Sequence, residues 1–97
     1  MMNTSKIDEK KQIEFYKKIG QKIKEFREEK GLTQREIAEK LGISFQQFQK
    51  YETGKNRISM DKFFILEKYL KSEKNSLLKE LTILMKEIIP TINNDNK

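Results

Sequence analysis

Six side chains between positions 34 and 50 are of types that read a polyanion or a base edge: Gln34, Phe45, Gln46, Gln47, Gln49 and Lys50. Glutamine can bond adenine in a bidentate way, lysine can reach guanine O6 and N7, and an apolar ring can meet a thymine methyl. A merely solvated helix face would carry more Glu and Lys than this one does. For Phe45 a second role stays open, packing against the end of the preceding helix. Just downstream, Lys55, Asn56 and Arg57 offer positive charge and a donor suited to phosphate oxygens. Such contacts fix register without reading sequence. Gln34 opens a predicted helix, where free N–H groups and the dipole favour an anion and a side-chain amide adds a phosphate clamp.

Nothing comparable supports covalent chemistry. The sequence has no His, Cys or Trp, which removes thiolate and imidazole metal ligands, Cys or His nucleophiles and any disulfide framework. The acids are scattered over predicted helix surfaces, and no nucleophile is paired with a base. The reading is therefore a binding protein, neither an enzyme nor the holder of a cofactor or metal.

The elements that must position these residues follow from apolar spacing. Tyr16, Ile19, Ile23 and Phe26 repeat at steps of three and four, which predicts a helix starting near Asp8 and ending at Gly31. Gly20 inside it costs about 1 kcal/mol relative to Ala and marks a place where another helix could approach closely. Thr33 with Glu36 forms a capping box for a short helix, Gln34 to Leu41. Gly42 breaks the chain and Ser44 caps a second helix running to about Thr53. Ile37, Ala38, Leu41, Ile43, Phe48 and Tyr51 are the apolar residues of this pair, spaced for two helices packed at a sharp angle. That pattern reads as a helix-turn-helix whose second helix enters the major groove.

Gly54 stops this helix, and Ser59 caps the next, for which Met60, Phe63, Phe64, Leu66, Tyr69 and Leu70 are expected to supply the packing. After a polar break at 72–76, a last helix runs from Leu77 to about Ile89, ending at Pro90 before a tail expected to be disordered. Its apolar positions form a stripe too wide for one small neighbour to hide. One reading is that this helix completes the core of the single chain; the favoured one is that Leu77, Leu81, Leu84, Met85 and Ile88 also form a two-fold dimer contact.

The 97 residues suit one domain with a small core. Charge is uneven: residues 1–18 hold five bases against three acids, residues 19–71 twelve against eight, and residues 72–97 four against four. The net +6 thus lies ahead of the C-terminal segment, compatible with a polyanionic partner. No apolar run approaches the roughly 18 residues of a membrane span and no signal-peptide segment follows the start, so a soluble cytoplasmic protein is expected, with no membrane partner.

Residues 19–71 resemble the DNA-binding domain of the Cro/C1 phage-repressor family, also called the XRE type. The resemblance rests on Ile19-Gly20, Arg27, Gly31-Leu32-Thr33-Gln34, Ile37-Ala38, Leu41-Gly42-Ile43-Ser44 and Tyr51-Glu52-Thr53-Gly54-Lys55. It implies an all-α, compact five-helix lambda-repressor-like domain, here with an N-terminal helical extension (1–18) and a C-terminal helix and tail (72–97). It further implies that Phe45, Gln46, Gln47 and Lys50 face base edges, while Gln34, Ser44, Lys55, Asn56 and Arg57 meet the phosphate backbone. Arg27 and Glu52 would form a partly buried ion pair tying the first helix to the recognition helix. The segments 1–18 and 72–97 have no counterpart in the shortest members of the family.

The leading expectation is a bacterial or phage-encoded, sequence-specific regulator of transcription, a repressor bound as a homodimer to a palindromic operator in double-stranded DNA. A second reading is an antitoxin that represses its own operon and binds a toxin through an end segment. A third is a protein-interaction module that kept the fold and lost DNA binding.

Overall fold

The computed structural model describes residues 9–88, which form five helices: α1 (Glu9–Glu29), α2 (Gln34–Leu41), α3 (Phe45–Thr53), α4 (Met60–Leu70) and α5 (Leu77–Ile88). No strand occurs among the described residues. Residues 1–8, Ile89, Pro90 and the expected tail lie outside them.

Capping chemistry sets the boundaries of the central pair. At α2 the Thr33 hydroxyl accepts from the Glu36 N–H at 3.0 Å while Glu36 accepts from the Thr33 N–H at 2.7 Å, the reciprocal box expected from their spacing. Gly42 then adopts φ +69°, a left-handed conformation that ends α2 without the penalty a Cβ would bring. Ser44 accepts from the Gln47 N–H at 3.0 Å and starts α3. Ser59 takes the N-cap position of α4, but its hydroxyl donates to Asp61 Oδ1 instead of serving the helix backbone.

Ile19, Ile23, Phe26, Ile37, Ala38, Leu41, Phe48, Tyr51, Phe63, Leu66, Leu70, Leu77 and Leu84 form one core. The last helix belongs to it: Leu77, Leu84 and Ile88 are buried within the single chain. This corrects the expected dimer contact, because side chains already enclosed by their own fold cannot also be covered by a second copy. Of that set Leu81 is half-buried against the core, and Met85 alone is exposed.

Met60 and Phe64 correct a second expectation. They stand at the surface, 74% and 50% exposed, rather than in the core. Apolar residues at 60, 63, 64, 66, 69 and 70 cover more than half of the α4 circumference, whereas neighbours enclose only the stripe through Phe63, Leu66 and Leu70. Tyr69 is half-buried with the Lys40 ammonium 4.6 Å from its ring centre.

Helix α1 crosses beneath α3 where Gly20 meets its backbone. A Cβ on Gly20 would lie 2.4 Å from the Tyr51 carbonyl oxygen and 2.5 Å from that of Glu52. The mid-helix glycine therefore serves close approach, as its position suggested. The boundary expected between 18 and 19 falls inside α1, so residues 9–18 continue one helix that is about 31 Å long.

Candidate nucleic-acid interface

The packing of α1 against α3 depends on charge as well as shape. Arg27 donates from Nε to Glu52 Oε2 at 2.6 Å and from Nη2 to Glu52 Oε1 at 3.2 Å, and its Nη1 donates to the Leu32 carbonyl at 2.8 Å. Both side chains are buried. A buried charge left alone is costly, and a bidentate pair whose third guanidinium nitrogen is also bonded meets that requirement. The pair implied by resemblance is thus present in its expected place. Among the described residues, no buried side-chain nitrogen or oxygen lacks a hydrogen-bond partner.

Gln34 carries this network outward. Its Nε2 donates to Glu52 Oε1 at 2.7 Å, and its Oε1 accepts from Gln49 Nε2 at 3.4 Å. A chain of contacts therefore runs from Arg27 through Glu52 and Gln34 to the outer face of α3. One amide hydrogen of Gln34 is committed to Glu52, and the second remains for an external acceptor. The geometry gives Gln34 a structural task that its type and helix-start position did not reveal.

On α3, Gln46, Gln49, Lys50 and Thr53 share one stripe by helical spacing and are exposed. Gln47 is half-buried. Phe45 is also half-buried, under the Arg35 guanidinium at 4.4 Å from the ring centre, so α2 and the start of α3 are joined there by a cation–π contact. A face of the ring is therefore occupied by protein, while Gln46 and Lys50 project freely.

A shallow recess of about 540 Å³ lies along this stripe, lined by Lys24, Gln34, Gln46, Gln49, Lys50, Glu52, Thr53 and Lys55. Lys24 of α1, Lys50 of α3 and Lys55 of the following loop bring three positive charges to one polar surface. The Glu52 carboxylate there is already paired with Arg27. Lys24 was not among the site residues expected from sequence. Lys24 had one signal: it lies three residues before Arg27 and four after Gly20, on the side of α1 that meets α3.

The remaining expected contacts fall at the edge of this surface. Ser44 and Lys55 are exposed and Asn56 is half-buried, with its N–H donating to the Lys50 carbonyl at 3.2 Å. Arg57 is exposed and is drawn toward α1, where its Nη2 donates to Gln12 Oε1 at 2.7 Å. Leu77, Leu84 and Ile88 lie in the core, away from any role on this surface.

Comparison with known proteins agrees with the geometry. The model of a family described as helix-turn-helix matches residues 23–75, more than half of the chain. A transcriptional regulator from the ATPase CF(0) region of Rhodospirillum rubrum is 42% identical over 52 residues, covering 54% of this chain and 48% of that protein. An HTH-type transcriptional regulator of Sinorhizobium fredii is 40% identical over 55 residues, 57% of this chain and 38% of its own length. The chain thus spans about half or less of the length of these relatives. The crystal structure of the clp gene regulator ClgR from Corynebacterium glutamicum superposes with a TM-score of 0.63 over 84% of each chain, at 21% identity, a likeness of fold. No described helix is long and apolar enough to cross a membrane. With capped α2 and α3 packed across a glycine turn, an Arg27–Glu52 pair behind them and these relatives, the chain belongs to the Cro/C1-type (XRE) helix-turn-helix family of transcriptional regulators.

Proposed function

We propose that this domain binds double-stranded DNA site-specifically, with α3 in the major groove, and represses transcription as a homodimer on a palindromic operator. The observation that carries the reading is the exposed stripe of Gln46, Gln49 and Lys50 on α3, set beside a recess rimmed by Lys24 and Lys55. The stripe supplies donors and acceptors suited to base edges, and the rim supplies charge suited to phosphates. Gln46 and Lys50 are the base-contacting residues in this reading, with Gln47 and Phe45 beside them at the start of the helix. Gln34, Ser44, Lys55, Asn56 and Arg57 follow the backbone.

The homodimer is supported by apolar surface left on α5. Leu78 and Met85, seven residues apart and so on one face, are 40% and 38% exposed. In a two-fold assembly the two α3 helices would read half-sites about 34 Å apart.

Selection of bound sites from random DNA, followed by titration of the winning site, tests the proposal. The expected outcome is a palindromic consensus, with Gln46→Ala weakening binding by about 1–3 kcal/mol and relaxing preference at one base position per half-site. Binding of every sequence with equal, weak affinity by both proteins would defeat it.

A further inference from the structure

The N-terminal half of α1 lies outside the residues that the family model matches, and the reading above gives it no task. Three observations connect it to the loop that follows α3. The Arg57 Nη2 donates to Gln12 Oε1 at 2.7 Å, across 45 residues of sequence. The Arg57 guanidinium also stands 5.4 Å from the centre of the Tyr16 ring. At the residue after Tyr16, α1 touches the same loop again: a Cβ on Gly54 would meet the Lys17 Cα at 2.7 Å and its Cγ at 3.0 Å. The segment thus lies along the Gly54–Arg57 loop and contacts the loop's one arginine through two side chains of one helix face.

An exposed arginine normally samples many rotamers, and ordering it at an interface weakens binding. A pose already fixed in the free protein removes that loss. The Gln12 oxygen accepts from one guanidinium N–H and the Tyr16 ring offers no acceptor oxygen to the others in these contacts, so the other N–H groups of the fork stay available for a second acceptor. Gln12 is neutral, so it orients the cation without cancelling its charge. A carboxylate at position 12 would compete with a phosphate for it.

We propose that Gln12 and Tyr16 are positioning residues for DNA binding: they hold Arg57 in the pose from which it bonds a backbone phosphate beside the recognition helix. The inference rests on the reading of this protein as a DNA-binding regulator. It assigns residues 12–17 of α1 to the interface as its supporting layer, with the Lys17 stem running beside Gly54 at the edge of the same phosphate track.

The test is a double-variant cycle on the selected operator, with the full chain throughout. Wild type, Gln12→Ala, Arg57→Ala and the double variant are titrated at several salt concentrations, and thermal melts confirm folding. Arg57→Ala is expected to lower the steepness of the salt dependence by about one phosphate contact. Gln12→Ala is expected to weaken binding by roughly two- to tenfold, with the base preference unchanged and the melting temperature close to wild type. The double variant should bind no more weakly than Arg57→Ala, because Gln12 acts only through Arg57. Tyr16→Leu keeps an apolar side chain in place and should show the same dependence on Arg57.

Additive losses would overturn the proposal, as would a Gln12→Ala variant that binds as wild type does. Tighter binding by Gln12→Ala would also overturn it, since α1 would then be holding Arg57 away from DNA. If Arg57→Ala has no effect while Gln46→Ala abolishes specificity, the positioning role fails and the DNA-binding reading stands. If wild type binds no DNA, both fall together.

Discussion

Glu52 and Glu67 are buried to nearly the same degree, 7% and 8% exposed, yet the fold stabilises their charges in different ways. Glu52 faces a cation: the Arg27 guanidinium bonds both of its oxygens, and Gln34 adds a third donor. Glu67 is paired with no Lys or Arg among the described residues. Its Oε1 accepts from the backbone N–H groups of Leu77 at 2.6 Å and Leu78 at 3.3 Å, and its Oε2 accepts from the Ser76 hydroxyl at 2.9 Å. Those donors are the open end of α5, whose dipole adds to the attraction. One carboxylate joins α1 to the recognition helix, and the other fastens α5 to α4. The first tie is made between side chains and belongs to the helix-turn-helix. The second uses a helix terminus and belongs to the attached helix.

The largest effect is expected at the Arg27 pair. Arg27→Ala leaves Glu52 buried with only the Gln34 amide, and should destabilise the fold by about 3–5 kcal/mol in a denaturant melt. Replacing both partners with apolar residues of similar volume, Arg27→Met with Glu52→Leu, should recover most of that loss. The double variant also takes away the acceptor that holds Gln34, so it is expected to fold yet bind DNA less well. A double variant as unstable as Arg27→Ala would mean that the stability lost is that of the pair's own hydrogen bonds, not the cost of a charge left unpaired.

A smaller and more local effect is expected at Glu67. Glu67→Ala strands the Leu77 and Leu78 N–H groups at a buried helix start, at roughly 1–3 kcal/mol. Because α5 is fastened there, amide exchange should quicken first along Leu77–Ile88, before α2 or α3 loses protection. Uniform quickening over all five helices would instead make α5 part of one cooperative unit with the recognition pair, and the contrast between the two ties would vanish.

These two carboxylates also mark what could be read without coordinates. The Arg27–Glu52 pair was reached because its partners fall at fixed places in a family pattern, although nothing in the local sequence distinguishes Glu52 from a surface residue. The capping box at Thr33 and Glu36, the Gly42 turn and the α3 start at Ser44 were legible because each is decided within four residues. Glu67 was missed. Its partners are backbone N–H groups, which carry no residue signature, and the acid sits on α4 among apolar residues that looked sufficient by themselves. The same blindness to tertiary context assigned Met60 and Phe64 to the core, and gave Leu77, Leu84 and Ile88 a dimer contact in addition to the core place they fill. Periodicity identifies an apolar face but not the neighbour that covers it. The hold on Arg57 was equally hidden, since Gln12 lies 45 residues away in the chain.

The smallest effect concerns a third carboxylate, Asp61, which has a hydroxyl partner as Glu67 does but no burial. The Ser59 hydroxyl donates to Asp61 Oδ1 at 2.5 Å, and this bond first, then the Lys62 backbone, holds the carboxyl below its ordinary value. A carboxyl depressed in the folded state contributes stability above its unfolded value and loses it as pH falls through the folded one. Full exposure to water makes that contribution slight. Ser59→Ala is therefore expected to return Asp61 toward its ordinary titration in a carboxyl NMR experiment while leaving the melting temperature at neutral pH unchanged. The Ser59 hydroxyl makes no bond to the helix backbone, so no cap is lost with it. If Ser59→Ala instead melted as early as a cap deletion, about 1 kcal/mol less stable, the hydroxyl would be supporting α4 itself. Burial would then not be what separates Glu67 from Asp61.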